Sequence, residues 1–276
     1  MLIRLDDGRT LQVHDTGGSD DDVTVLWHHG SPQTGALLPP LVAATAERGM
    51  RLISYARPGY AASTAAPGRT VASAADDVVL VLDALGIDTV ATVGASGGAP
   101  HALACAALLP DRVTAVVSLA GLAPLHSHPT WSAGMRAEGA LRAALEGRAA
   151  RARYAETDEF DPDSFTEGDW AALEGPWSSL GADAGQAEAG GPDGLIDDDV
   201  AFASPWGFDP ATIEPPVLVV HGGHDRMVPA SHSEWLIRTL PHAELWYRPR
   251  DGHVSVLAAL PLTLDWITAT TAGTGP

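Results

Sequence analysis

The chain contains no lysine, so every basic side chain is an arginine. A Schiff base with a carbonyl substrate or pyridoxal phosphate needs a lysine amine, and a Walker-type phosphate loop needs its lysine; both chemistries are excluded. Asparagine is also absent, which removes any N-glycosylation acceptor. Cys105 is the single cysteine. An intrachain disulfide is therefore impossible, and a cytoplasmic enzyme is expected. No apolar run approaches the roughly 20 residues needed to span a bilayer. The opening Leu2-Ile3-Arg4-Leu5 lacks the basic, apolar and small-residue succession of a signal peptide. Basic charge is scarce beside acidic charge, and the formal net charge is −19. Such a chain repels phosphate backbones and anionic surfaces, so neither a nucleic-acid nor a membrane partner is expected.

What is present alternates regularly. Leu2 to Asp15 has strand-like patterning around Asp7-Gly8, a hairpin signal. Short, continuously apolar runs predict buried strands at Val23–Trp27, Arg51–Tyr55, Thr89–Val93, Val113–Leu119 and Pro216–Val220, with a further strand at Leu245–Tyr247. Helical stretches separate them. The clearest places Val71, Ala75, Val78, Leu82 and Leu85 at spacings of three and four, with Thr70 as its expected cap and Gly86 as its end. Helices alternating with buried strands predict an α/β fold with a mostly parallel sheet covered on both faces.

The alternation lapses across residues 124–210, which therefore read as an insertion on one side of the sheet. Trp131, Trp170, Trp177 and Trp206 lie in it, half of the eight tryptophans. Disordered segments are poor in aromatics, so a folded, largely helical cap is expected. Arg136, Arg142, Arg148, Arg151 and Arg153 occupy its first part, and an arginine-free acidic stretch runs from Glu156 to Asp199. These read as two solvated faces that attract one another. Asp197-Asp198-Asp199 lacks the alternating spacing of a calcium loop.

Gly94-Ala95-Ser96-Gly97-Gly98 stands between a predicted strand and a predicted helix. A G-x-S-x-G at that junction is a nucleophile elbow, with small residues where the turn leaves no room and the serine at a helix N-terminus. A serine hydroxyl needs a base. Of eleven histidines, His253 in Asp251-Gly252-His253 follows the last strand. Asp225 follows the strand before it, and the fourth strand ends in Gly121-Leu122-Ala123-Pro124 without a carboxylate. The order Ser96, Asp225, His253 is that of a hydrolase triad. His224 reads as a loop or pocket residue and His101 as structural. An oxyanion would need two backbone donors, expected from Gly97 and from Ser31 in His28-His29-Gly30-Ser31-Pro32. His29, Trp131, Trp177 and Trp206 are the expected substrate-binding side chains. No spaced third ligand turns the histidine pair into a metal site.

Taken with Arg57-Pro58-Gly59-Tyr60 and Asp225-Arg226-Met227-Val228-Pro229, these motifs resemble the α/β-hydrolase superfamily over nearly the full chain, in particular its small, cap-bearing, cofactor-independent serine hydrolases. The resemblance implies a core of residues 1–123 and 211–276, a cap of 124–210, a small-molecule substrate, and neither cofactor nor metal. Related sequences commonly carry aspartate before the Arg-Pro-Gly turn, where this chain has Ala56. Serine at the elbow argues against haloalkane dehalogenases and soluble epoxide hydrolases, which use aspartate. Hydrolysis of a small, largely apolar carboxylic ester or lactone through an acyl-enzyme is the favoured reading. A carbon–carbon bond hydrolase or an iminopeptidase-like enzyme stands next, and a lyase, cyclase or ligand receptor on the same fold remains open.

Overall fold

The computed structural model describes residues 1–19, 22–127 and 130–272. The first half comprises β1 (Leu2–Arg4), β2 (Thr10–Asp15), β3 (Thr24–His28), α1 (Pro39–Ala46), β4 (Arg51–Tyr55), α2 (Ser73–Leu85), β5 (Val90–Ala95), α3 (Gly98–Leu108) and β6 (Val113–Leu119). Among the described residues five α-helices then intervene: α4 (Gly139–Leu145), α5 (Arg148–Ala155), α6 (Glu167–Glu174), α7 (Ser178–Ala189) and α8 (Asp193–Phe202). The alternation resumes with β7 (Val217–Gly222), α9 (Ser231–Thr239), β8 (Ala243–Arg248) and α10 (Leu260–Ala272).

One sheet holds the strands in the order β1-β2-β4-β3-β5-β6-β7-β8. The hairpin strands β1 and β2 run antiparallel, and every pairing from β4 to β8 is parallel. The pleat sorts the buried side chains between two layers. Leu26, Val116 and Val219 face a layer containing Val78 and Leu82 of α2, Leu103 of α3 and Leu236 of α9. Val25, Trp27, Val117 and Val220 face the opposite layer, with Leu41 of α1 and Leu264 and Ile267 of α10. A strand covered on both sides can be apolar at every position, which is why these strands read as continuous runs.

The helix α2 ends as its sequence implies, with Gly86 left-handed at φ 64°. Its start differs. Ala72 is the N-cap without a side-chain bond, and the Thr70 amide instead donates to the Ser73 hydroxyl at 3.1 Å, so Thr70 belongs to the turn before the helix. Among the described residues no helix is long and apolar enough to cross a membrane.

The inserted segment touches both layers. Trp131, Phe202 and Trp206 join the α2–α3 side, and Trp177 joins the α1–α10 side. The acidic triplet is not solvated. Asp197, Asp198 and Asp199 are all buried in α8 and bind different arginines: Asp197 takes Arg148 at 2.6 Å, Asp199 takes Arg151 at 2.6 Å, and Asp198 takes Arg57 and Arg69 at 2.6 and 2.7 Å. The opposed charges do attract, as their segregation suggests: Arg151 pairs inside the fold, and the partly exposed Arg148 joins buried Asp197 to exposed Asp193.

Candidate active site

Between β5 and α3 the chain turns so sharply that Ser96 takes a left-handed conformation, φ 53°. A non-glycine residue there is strained, and such strain persists only where the surroundings dictate it. Here they do. The Ser96 amide donates to Leu119 O of β6 at 2.8 Å, and a Cβ on Gly98 would collide with the carbonyl of His28. Glycine at 98 is thus a packing requirement, and Ser96 stands at the carboxyl edge of the sheet over the N-terminus of α3.

The loops after β7 and β8 bring two groups to the same edge. His253 Nε2 lies 2.9 Å from Ser96 Oγ, and Nδ1 lies 2.8 Å from Asp225 Oδ2. With Nδ1–H donating to the carboxylate, Nε2 is left to accept the serine proton. Asp225 is fixed on its other side, where Oδ1 accepts from Met227 N–H at 2.9 Å and Val228 N–H at 2.8 Å. Burial pulls the His253 pKa down, but the charge and hydrogen bond of Asp225, with a contribution from Asp169, prevail and raise it above 6.5. Asp251, the nearer carboxylate in sequence, is bound to Arg248 Nε at 2.7 Å. His221 donates from Nε2 to Val228 O at 2.7 Å, and His224 is exposed.

The turn after β3 faces the elbow. A Cβ on Gly97 would come within 2.5 Å of Ser31 Oγ and 3.0 Å of the Phe202 ring, so the three residues are contiguous. Among the described residues neither the Ser31 nor the Gly97 N–H finds an acceptor in the protein. Neighbouring groups of the turn are bound. Gly30 N–H donates to Gln33 Oε1 at 2.6 Å, and Arg57 donates to the carbonyls of His29 and Gly30 and to Ser31 Oγ. Ser31 Oγ donates in turn to Asp198 at 2.5 Å, and Tyr60 donates to the same carboxylate at 2.8 Å. Asp198 therefore supplies, from α8, the carboxylate that Ala56 does not place beside Arg57. Burial opposes its ionisation, but the charges of Arg57 and Arg69 hold it well below the usual carboxylate range. His101 Nε2 stands 3.6 Å from Asp198, which fits a structural role.

Four expected pocket residues have other occupations. His29 is buried with both ring nitrogens engaged: Nδ1–H donates to Gly30 O at 2.7 Å, and Nε2 accepts from Arg57 N–H at 3.1 Å. Its ring nitrogens are taken up in holding the turn. Trp131 donates from Nε1 to Ala123 O at 2.8 Å and meets His232 edge-on. Trp206 packs against Phe208, and Trp177 lies in the core layer with Val254. All three are buried. Sequence reasoning missed Phe202, Asp198 and two further buried aspartates of the insert, Asp169 and Asp183; the latter accepts from the amide and hydroxyl of Thr34. In composition they cannot be told from solvated neighbours.

Residues 23–259 match the family model of the alpha/beta hydrolase fold. The chain belongs to that family. A Caulobacter sp. (strain K31) protein named as a carbamate hydrolase, RutD, is 29% identical over 258 residues, covering 90% of this chain and 89% of its own. Two solved structures share the fold at a TM-score of 0.72. They are the enol-lactonase from Burkholderia xenovorans LB400, 21% identical over 98% of this chain and 100% of its own, and a thermophilic esterase from Thermogutta terrifontis, 20% identical over 98% and 99%.

Proposed function

We propose that this α/β-hydrolase-fold protein is a serine hydrolase that cleaves small, largely apolar carboxylic esters or lactones through an acyl-enzyme. The observation that carries the reading is the unbroken line of hydrogen bonds from Ser96 Oγ through His253 to Asp225, at 2.9 and 2.8 Å. In the proposed reaction Ser96 Oγ attacks the substrate carbonyl carbon while its proton passes to His253 Nε2. The carbonyl oxygen becomes an anion held by the Ser31 and Gly97 amides at the N-terminus of α3. Collapse of the tetrahedral species breaks the bond to the alkoxide, which takes the proton from His253. A water then gives its proton to His253 and its oxygen to the acyl carbon, and Ser96 leaves protonated.

Residues 124–210 act as the cap in this reading, with Phe202 beside the oxyanion site. Acidic composition disfavours anionic substrates, and a compound with an ester or lactone carbonyl on a short apolar frame fits best. The names borne by the Caulobacter and Burkholderia relatives, a carbamate hydrolase and an enol-lactonase, belong to the same acyl-transfer chemistry.

The test is covalent. A fluorophosphonate should add one phosphonyl group to the wild-type protein, at Ser96 in the peptide map, and none to Ser96→Ala. A panel of neutral esters, lactones, carbamates and amides then ranks the substrate classes. A wild-type protein that takes no label would sink the proposal.

A further inference from the structure

Asp169 is the third residue of α6 and is wholly buried. Its two oxygens serve different parts of the protein. Oδ2 closes the capping box of α6, accepting from the Thr166 amide at 2.9 Å and the Thr166 hydroxyl at 2.8 Å. Oδ1 leaves the insert altogether. It accepts from Val254 N–H at 2.8 Å, Ser255 N–H at 2.8 Å and Ser255 Oγ–H at 2.9 Å. On the near side of the same loop, Gly252 packs so tightly that a Cβ would overlap the Asp169 carboxyl. Ser255 Oγ also accepts from Gly252 N–H at 2.7 Å, closing the loop across His253. Residues 252, 254 and 255 thus grip one carboxylate, and His253 is the residue between them.

A capping box needs no such reach. The backbone that aims the imidazole has its amides satisfied by a residue 85 positions away, in a different part of the fold.

We propose that Asp169 is a positioning residue for His253, fixing from the cap the loop through which the imidazole reaches Ser96, so that a seated cap is a condition of turnover. The proposal rests on the reading of Ser96, His253 and Asp225 given above. Asp169 touches neither reacting atom; it acts through the loop and through its charge. The groups facing His253 are Asp225 from the loop after β7, the Ser96 hydroxyl from the elbow and Asp169 from α6. His221 of β7 stands 3.6 Å from Asp225, and Asp251 in the preceding turn is paired with Arg248. Burial works against ionisation of Asp169, but the hydrogen bonds from the amides and hydroxyls of Ser255 and Thr166 outweigh that and keep its pKa below the ordinary value, so it is an anion at working pH. An anion there favours the imidazolium.

The experiment compares Asp169→Asn, Thr166→Val and Ser255→Ala in the full-length protein, using a neutral p-nitrophenyl ester and the rate of fluorophosphonate labelling. Asp169→Asn should lower kcat by about 10- to 100-fold through misplacement of the base, with KM little changed. Its labelling rate should fall in parallel. Loss of the charge should move the acid limb of kcat/KM to lower pH by about half a unit. Thr166→Val removes one donor to Oδ2 and leaves Oδ1 on the histidine loop, so its kcat and acid limb should change far less than those of Asp169→Asn. A wild-type limb and kcat in Asp169→Asn, or an equal fall in Thr166→Val, would overturn the proposal. Should Asp169→Asn fail to fold, Ser255→Ala decides: a several-fold lower kcat supports the proposal and an unchanged one overturns it. Failure of the underlying reading looks different, since the wild-type protein itself would then take no label.

Discussion

The Arg57 guanidinium and the Asp198 carboxylate meet at 2.6 Å with their side chains only 2% and 0% exposed, one from the loop after β4 and the other from α8. Removing one partner of such a pair leaves uncompensated buried charge. Asp198→Ala should therefore cost about 3–5 kcal/mol in urea unfolding. Asp198 has a depressed folded-state pKa, so the stability it contributes is present above the unfolded value and is lost as pH falls through the folded one. The deficit of Asp198→Asn relative to wild type should hold steady at neutral pH and shrink below about pH 4. A deficit that grows on acidification would contradict this assignment of charge.

The raised pKa of His253 has a kinetic consequence. In the proposed reaction only the neutral imidazole accepts the Ser96 proton, so activity should be lost as His253 protonates. A pKa above 6.5 places that loss at higher pH than an ordinary histidine would. The kcat/KM profile should rise through a single ionisation with its midpoint above 6.5. A midpoint near 6 or a flat profile would show that burial, not Asp225, governs the ring.

Two aspartates flank the question of which carboxylate serves the histidine. Asp225→Asn should lose roughly 10⁴-fold in kcat, because an amide can hold the wrong tautomer and cannot balance the imidazolium. Asp251→Asn breaks only the turn pairing with Arg248 and should stay close to wild type in kcat. The reverse pattern would exchange their roles.

Gly97→Ala tests the proposed oxyanion site while keeping the Ser96 hydroxyl. A methyl group there must displace Ser31 Oγ or the Phe202 ring, moving one proposed donor relative to the other. Gly97→Ala should reduce kcat by about 10²- to 10³-fold, the scale of losing one oxyanion donor. A fall confined to KM would assign the crowding to substrate binding instead.

The core of the fold is legible in the sequence because strands covered on both faces leave continuous apolar runs, and an elbow without room for side chains leaves glycines around Ser96. Chain order suffices to bring Asp225 and His253 to that edge. The aspartates of the insert are not legible. A carboxylate buried against an arginine has the same letter as one in water, and only the tertiary partner separates Asp198 from Glu188. Ala56 holds a hint: Arg57 lacks a carboxylate in its own turn, and a buried arginine must find one elsewhere. The tryptophans mark the insert as folded, but ring content does not say which neighbour a ring meets. Trp131 and Trp206 pack into the core, while the smaller Phe202, unremarkable in an acidic run, lies beside the elbow.

The most direct measurement is the turnover of purified, folded Ser96→Ala on the best neutral ester of the panel. The elbow accepts small residues, so the variant should melt as a folded protein while kcat falls by a factor on the order of 10⁶. Retention of more than about a tenth of wild-type activity, far above what loss of a triad nucleophile leaves, would contradict a covalent role for Ser96.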